Sequence, residues 1–191
     1  MNIAVIGNGN VGTGLAAVLN GAGHDAAAFG RDDDLARAVS NAEIVILSTP
    51  YNAAQDVAGK ADFNGKLVID VSNPVKEDFS GLQVGLDTSA AEQIADLMPG
   101  ASVVKAFNTI FAQHYASGLS IDGTPLQTYV AADDEVARAR VKKLAGDMGL
   151  VAIDAGPLAN ARYLEPMGFM NIQFGYVLGQ GVNIAPQWLV A

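Results

Sequence analysis

The chain has no cysteine and only two histidines among its 191 residues. Disulfides, thiolate metal sites and thiol nucleophiles are therefore excluded, and two histidines far apart in sequence leave too little to build a zinc site. Positive charge is scarce too: 11 Lys and Arg stand against 20 Asp and Glu, for a formal charge of −9. A nucleic-acid surface needs a basic stripe to meet the phosphate backbone, and none is visible. Long apolar runs are also missing. Hydrophobic residues make up 50% of the chain, but they come in short segments, none near the roughly 18 residues of a membrane span. The chain enters its first apolar segment directly after Met1, without the basic and apolar regions of a secretory signal, so a soluble cytoplasmic protein is expected. Its length suits one domain, or one domain with a short appendage. Internal repeats, low-complexity tracts and interdomain linkers are absent.

What is present begins at once. The apolar run Asn2 to Ile6 predicts a strand, and Gly7-Asn8-Gly9-Asn10-Val11-Gly12 follows it directly, ahead of a helical apolar pattern at Val11, Leu15, Val18 and Leu19. A GxGxxG alone is a weak signal, but at a strand-to-helix turn it is where a dinucleotide pyrophosphate is held. Gly7 permits the sharp turn, Gly9 keeps side-chain atoms off the phosphates, and Gly12 lets the helix lie close to the sheet. The free N–H groups of the first helical turn then face the phosphates with the positive end of the helix dipole. The competing reading is a glycine-rich turn without a ligand.

Short apolar runs alternate with helical patterns along the whole chain, which predicts an α/β fold with a doubly wound, mostly parallel sheet. Further strands are expected at Asp25–Phe29, Glu43–Leu47, Leu67–Val71, Ser102–Phe107, Gln127–Ala131 and Val151–Ala155. Polar residues collect just past them, as Ser48-Thr49-Pro50, Ser72-Asn73-Pro74 and Asn108-Thr109, where open α/β sheets bind ligands. Residues 76–88 read as a surface loop near the site, and Ser89 as the cap of a helix reaching about Met98. A charged helix over Asp133–Met148 should stop at Gly149. Beyond Gly156, Met, aromatic or valine residues at 163, 167, 170, 174 and 177 keep helical spacing. That stripe is expected to pack on the sheet or on a second subunit, with Pro166 kinking or splitting the helix.

An acidic residue at the end of the second strand would accept the ribose 2′-hydroxyl of NAD. Gly30-Arg31 stands there instead, and a guanidinium suits a 2′-phosphate, so NADP is preferred over NAD. The neighbouring Asp32, Asp33 and Asp34 are expected to start a helix from Leu35 to Ser40.

Four segments together resemble the coenzyme F420-dependent NADP oxidoreductase family. They are the opening Asn2 to Gly12, Asp70-Val71-Ser72-Asn73-Pro74, Val103 to Thr109, and Asp154 to Glu165. The resemblance covers nearly the whole chain. It implies a Rossmann domain, residues 1–156, with a small C-terminal helical segment, residues 157–191, that binds NADP(H) and passes hydride to or from a deazaflavin (coenzyme F420) or flavin. It further implies that Asn8 through Val11 line the pyrophosphate and that Arg31 holds the 2′-phosphate. Two departures stand out: Gly30 replaces the Ser or Thr that precedes the family's arginine, and the aspartate run replaces a basic residue that often follows it.

Hydride transfer needs positioned rings rather than a protein nucleophile, so no catalytic residue and no metal ligand is assigned. Gly7, Asn8, Gly9, Asn10, Val11, Gly12, Gly30, Arg31, Ser48, Thr49, Pro50 and Asn73 are the candidate cofactor-binding residues. Pro74, Asn108 and Thr109 are the candidates for the acceptor, although Asn and Thr at strand ends also cap local backbone. His114 either reaches the crevice or lies on the surface, and His24 is structural. Lys105 points to a sheet edge or pairs with a carboxylate, and Arg162 and Glu165 are expected to pair with each other. An anionic acceptor tail would want Lys76, Lys105 and Arg162 around the crevice mouth. Two other functions compete: an NADPH-binding sensor or electron-feeding subunit, and an imine- or hydroxyacid-type dehydrogenase, which needs a further helical domain. A homodimer is the expected assembly.

Overall fold

The computed structural model describes residues 1–189. Its elements in order are β1 (Asn2–Ile6), α1 (Asn10–Gly21), β2 (Asp25–Phe29), α2 (Leu35–Asn41), β3 (Ile44–Leu47), α3 (Ala54–Ala58) and β4 (Leu67–Asp70). Next come α4 (Ala90–Leu97), β5 (Ser102–Lys105), α5 (Ala112–Ser117), the short β6 (Ser120–Ile121) and β7 (Thr124–Pro125), β8 (Gln127–Val130), α6 (Glu135–Asp147), β9 (Val151–Asp154) and α7 (Ala161–Ile172). The main sheet is parallel throughout, in the order β2-β1-β3-β4-β5. The strand order reverses between β1 and β3, and the crevice beyond the carboxyl ends of those two strands is the fold's ligand position.

Alternation along the strands builds a core on each face of this sheet. Ile3, Val5, Ile44, Ile46, Ile69 and Val104 face one way and pack under α1, α5 and α6, with Leu15, Leu19, Tyr115, Val141 and Leu144. Ala4, Ile6, Val45, Leu47, Val68 and Val103 face the other way, under α2, α3 and α4. Leu15 and Leu19 are completely buried, and each such side chain contributes roughly 2 kcal/mol. Strands buried on both faces explain the unbroken apolar runs at Ile44–Leu47 and Leu67–Ile69.

Helix starts follow the sequence closely. Asp34 caps α2 by accepting from the Arg37 N–H, Ser89 caps α4 through the Glu92 N–H, and Asp134 caps α6. Gly149 stops α6 in the left-handed region, at φ +88.

The mostly parallel sheet is as expected: β8 and β9 pair in parallel with each other and join the rest through an antiparallel bridge between Lys105 and Ala131. Three expectations are corrected. Strand β5 ends at Lys105 rather than Phe107, because the chain turns there with Phe107 at φ +62. Pro166 does not split α7; Arg162 and Glu165 before it, and Asn171 after it, are bonded to the body of the protein, which offsets the lost amide donor. Only part of the apolar stripe of α7 packs on the sheet: Met167 joins the cluster of Tyr129, Ala131 and Leu164, whereas Tyr163 is 66% exposed and Met170 44%. The buried face of the helix is Ala161, Leu164, Glu165, Gly168 and Asn171.

Candidate functional site

The turn after β1 is built by close approach of two backbones. The Gly7 N–H donates to the Phe29 carbonyl at 2.7 Å, and the Ser48 N–H to the Ile6 carbonyl at 2.8 Å. Gly7 sits at φ +119, and a Cβ there would lie 2.3 Å from the Ser48 carbonyl oxygen. On Gly12 a Cβ would lie 1.8 Å from the Gly7 carbonyl oxygen. The third glycine thus packs against the turn itself, where a close approach to the sheet was anticipated. Around Gly9 a Cβ would meet nothing within 4 Å. No side chain caps α1 at Gly9, so its first amides remain available to an anion.

In front of this turn lies a cavity of about 270 Å³. Gly7, Asn8, Gly9, Gly30, Arg31, Ser48, Thr49 and Pro50 all line it, so eight of the twelve candidate cofactor residues converge. Asn10, Val11, Gly12 and Asn73 do not. Asn10 opens α1 with its side chain exposed, Val11 packs partly into the core under α1, and Gly12 is buried behind the turn. Gly30 faces Asn8, whose amide nitrogen would lie 2.6 Å from a Cβ at that position. The three aspartates after Arg31 are mostly engaged elsewhere: Asp33 accepts from the Gly30 N–H at 2.6 Å and Asp34 caps α2. Two residues that the sequence did not suggest, Asp56 and Lys60, complete the wall. They come from α3 and the turn after it, and no motif marks them.

The candidate acceptor residues lie further along the same sheet edge. Asn73 and Asn108 form a reciprocal pair: Asn73 Nδ2 donates to the Asn108 carbonyl at 2.7 Å, and Asn108 Nδ2 donates to Asn73 Oδ1 at 2.9 Å and to the Leu164 carbonyl at 2.8 Å. Helix α7 rests on this pair through Gly168, where a Cβ would lie 2.5 Å from Asn73 Oδ1. Asn73 was assigned to the cofactor and Asn108 to the acceptor, and the structure ties the two together. Pro74 is buried beside them, its carbonyl accepting from the Gln83 N–H. The Thr109 carbonyl accepts from Asn171 Nδ2 at 3.1 Å. Ser48 Oγ, Ser72 Oγ, Asn108 Oδ1 and Thr109 Oγ1 are buried without a protein partner. An unpaired buried polar atom costs about 1–3 kcal/mol, and these four sit past the ends of β3, β4 and β5.

Beneath the acceptor residues is a buried ion triad. Lys105 is fully buried, and its Nζ donates to Asp70 Oδ2 at 2.7 Å, to the Ser72 carbonyl at 2.5 Å and to Glu165 Oε1 at 2.9 Å. Asp70 also accepts from the Ser72 N–H. Glu165 accepts from the Ala90 and Ala91 N–H groups at the start of α4. The triad thereby holds the Ser72–Asn73 turn, α4 and α7 in one arrangement. Lys105 pairs with carboxylates, as one reading of the sequence allowed. Glu165 does not pair with Arg162. That guanidinium instead grips Glu92 with two bonds of 2.6 and 2.9 Å and holds the Glu92 carboxyl below its ordinary range. The available signal was a charged residue closing each of two apolar strands, Asp70 and Lys105, which are direct partners in register.

His114 is neither in the crevice nor on the surface. It is buried, with Nε2 3.2 Å from the Ile184 carbonyl, and so anchors the C-terminal segment. That segment returns along β8, where Gln127 exchanges two hydrogen bonds with the Trp188 backbone. His24 lies 3.6 Å from Asp147, consistent with a structural role. Among the described residues, no group of His, Cys, Asp and Glu could hold a metal ion, and no helix is long and apolar enough to cross a membrane.

Comparison with known proteins places this architecture. Residues 2–74 match the family model for NADP oxidoreductase, coenzyme F420-dependent. A candidate F420-dependent NADP reductase from Arthrobacter sp. FB24 superposes with a TM-score of 0.87 at 26% identity, covering 100% of both chains. The metalloreductase STEAP3 of Rattus norvegicus is 30% identical over 178 residues, 85% of this chain but only 35% of that protein. The chain thus spans about a third of that curated relative. A reductive aminase from Aspergillus terreus shares the fold alone, at TM-score 0.68 and 14% identity over 93% of this chain and 62% of the other. The resemblance to the coenzyme F420-dependent NADP oxidoreductase family, read from four sequence segments, is shown by the match over residues 2–74 and by the full-length structural likeness.

Proposed function

We propose that the chain is an NADP(H)-dependent oxidoreductase domain that exchanges hydride with a flavin-class ring. The observation that carries this reading is the uncapped Gly7–Gly12 turn at the β1/β3 switch point, opening onto a cavity that also holds Arg31. The residues fit a dinucleotide. Gly9 leaves room for phosphate oxygens, the first amides of α1 would donate to them, and Arg31 would meet the 2′-phosphate with a charge-assisted fork. When bound, the nicotinamide supplies the hydride. The protein's part is to position and to exclude water, which suits a site without a nucleophile or a metal-ligand cluster among the described residues.

The acceptor would lie against the Asn73–Asn108 pair and the unpartnered Thr109 hydroxyl, on the wall closed by α7. Its tail is better short or neutral than long and anionic. Of the three cations considered for a basic rim, Lys105 is buried in its triad and Arg162 is committed to Glu92, leaving Lys76 exposed. A second reading, a domain that feeds electrons to a partner, is favoured by the likeness to about a third of a metalloreductase. NADPH oxidation measured against deazaflavin, FMN, FAD and ferric acceptors tests both. Turnover with a flavin-class ring is the expected result, and NADPH binding without turnover on any of them would replace the first reading by the second.

A further inference from the structure

We infer that Lys60 is the second cation of a 2′-phosphate subsite, acting across the crevice from Arg31. The inference rests on the dinucleotide reading above and adds a residue from a different element. Arg31 follows β2 and Lys60 follows α3, yet both line the cavity that reaches Gly9. The only other charged residue on its wall is Asp56.

The charges on that wall decide what it prefers. The aspartates that follow Arg31 stay off this wall: none of Asp32, Asp33 and Asp34 lines the cavity, and Asp33 and Asp34 accept from backbone N–H groups. Among the described residues Arg31 has no ion-pair partner. Lys60 Nζ lies 2.8 Å from Asp56 Oδ2, one helical turn away, and the lysine side chain is 37% exposed. Lys60 thus neutralises the one carboxylate on the cavity wall, and its remaining N–H donors stay available. Arg31 and Lys60 against Asp56 leave a single net positive charge facing a phosphate monoester that carries about −1.5 to −2 at neutral pH. Without Lys60 the wall would be neutral overall and would suit a ribose 2′-hydroxyl better than a 2′-phosphate.

The test isolates the subsite with adenosine 2′,5′-bisphosphate and 5′-AMP, alongside NADPH and NADH, each titrated calorimetrically against wild type, Lys60→Gln and Asp56→Asn. Lys60→Gln should weaken NADPH and the bisphosphate about tenfold, equivalent to 1.4 kcal/mol, and change NADH and 5′-AMP less than twofold. Asp56→Asn should tighten the two phosphorylated ligands several-fold, and raised salt should erode the preference. Equal effects on all four ligands, or none, would overturn the role of Lys60 while leaving the dinucleotide reading in place. Wild-type protein that binds neither nucleotide would overturn both.

Discussion

Replacing Lys105 by methionine removes the cation from the most tightly buried charge cluster in the fold. Lys105 and Asp70 are both wholly buried and Glu165 is 2% exposed, so neither carboxylate can turn to solvent. The methionine fills similar volume, and packing loss is therefore small. What changes is that two carboxylates face each other with only backbone amides for compensation: the Ser72 N–H on Asp70, and the Ala90 and Ala91 N–H groups on Glu165. Breaking a buried ion pair from one side costs about 3–5 kcal/mol, a large share of the roughly 5–15 kcal/mol that holds a domain folded. In urea, with a slope of about 2 kcal/mol per molar, the midpoint followed by far-UV circular dichroism should drop by about 2 M. Exposed Lys143→Met is the control, since that lysine is 75% exposed. A triple variant, Lys105→Met with Asp70→Asn and Glu165→Gln, removes every charge at once while an amide oxygen can still accept from each backbone N–H, and should recover most of the loss. About 1 kcal/mol should remain, because hydrogen bonds to a neutral amide are weaker than those to a carboxylate. A single variant within 1 kcal/mol of wild type, or a triple variant as unstable as the single, would refute the claim that unpaired charge sets the cost.

The glycines of the first turn should separate stability from binding. Gly12→Ala places a Cβ 1.8 Å from a backbone oxygen and should fail to fold or melt far earlier, whereas Gly9→Ala meets nothing and should keep its melting temperature while weakening NADPH at least tenfold in calorimetry. The Glu92–Arg162 bridge predicts a pH signature. Because the guanidinium depresses the folded pKa of Glu92 below its ordinary 4.5, the pair stabilises fully above that value and is lost as pH falls through the folded one. Glu92→Gln should therefore melt below wild type at pH 7, with the gap closing below about pH 4.5; a constant gap would contradict the assignment. The exposed part of the stripe, Tyr163, Met170, Phe174 and Val177, is the face proposed for a homodimer. Light scattering should give two subunits for wild type and one for Tyr163→Glu with Met170→Glu.

Much of this protein is legible along one dimension, because its information is local. A glycine pattern after an apolar strand, Asp or Ser at the starts of α2, α4 and α6, and unbroken apolar runs for strands covered on both faces all act over a few residues. They placed β1, α1, β2 and the capped starts of α2, α4 and α6, as well as the Gly30-Arg31 pair at the end of β2. Tertiary structure decided what depends on partners distant in sequence. Glu165 abandoned the neighbour three residues away for Lys105, 60 residues distant, because a buried cation needs a buried counter-charge more than an exposed pair needs each other. Where α7 meets the Asn73–Asn108 pair its inward position went to Gly168, since that pair leaves no room for a side chain, and Tyr163 and Met170 were turned outward. Lys60 reached the wall beside Arg31 only because β3 and the helix after it lie across the crevice from β2. Periodicity marks which face of a segment is apolar; only the assembled fold sets what that face meets, because contact follows from how strands are ordered and not from how residues are spaced.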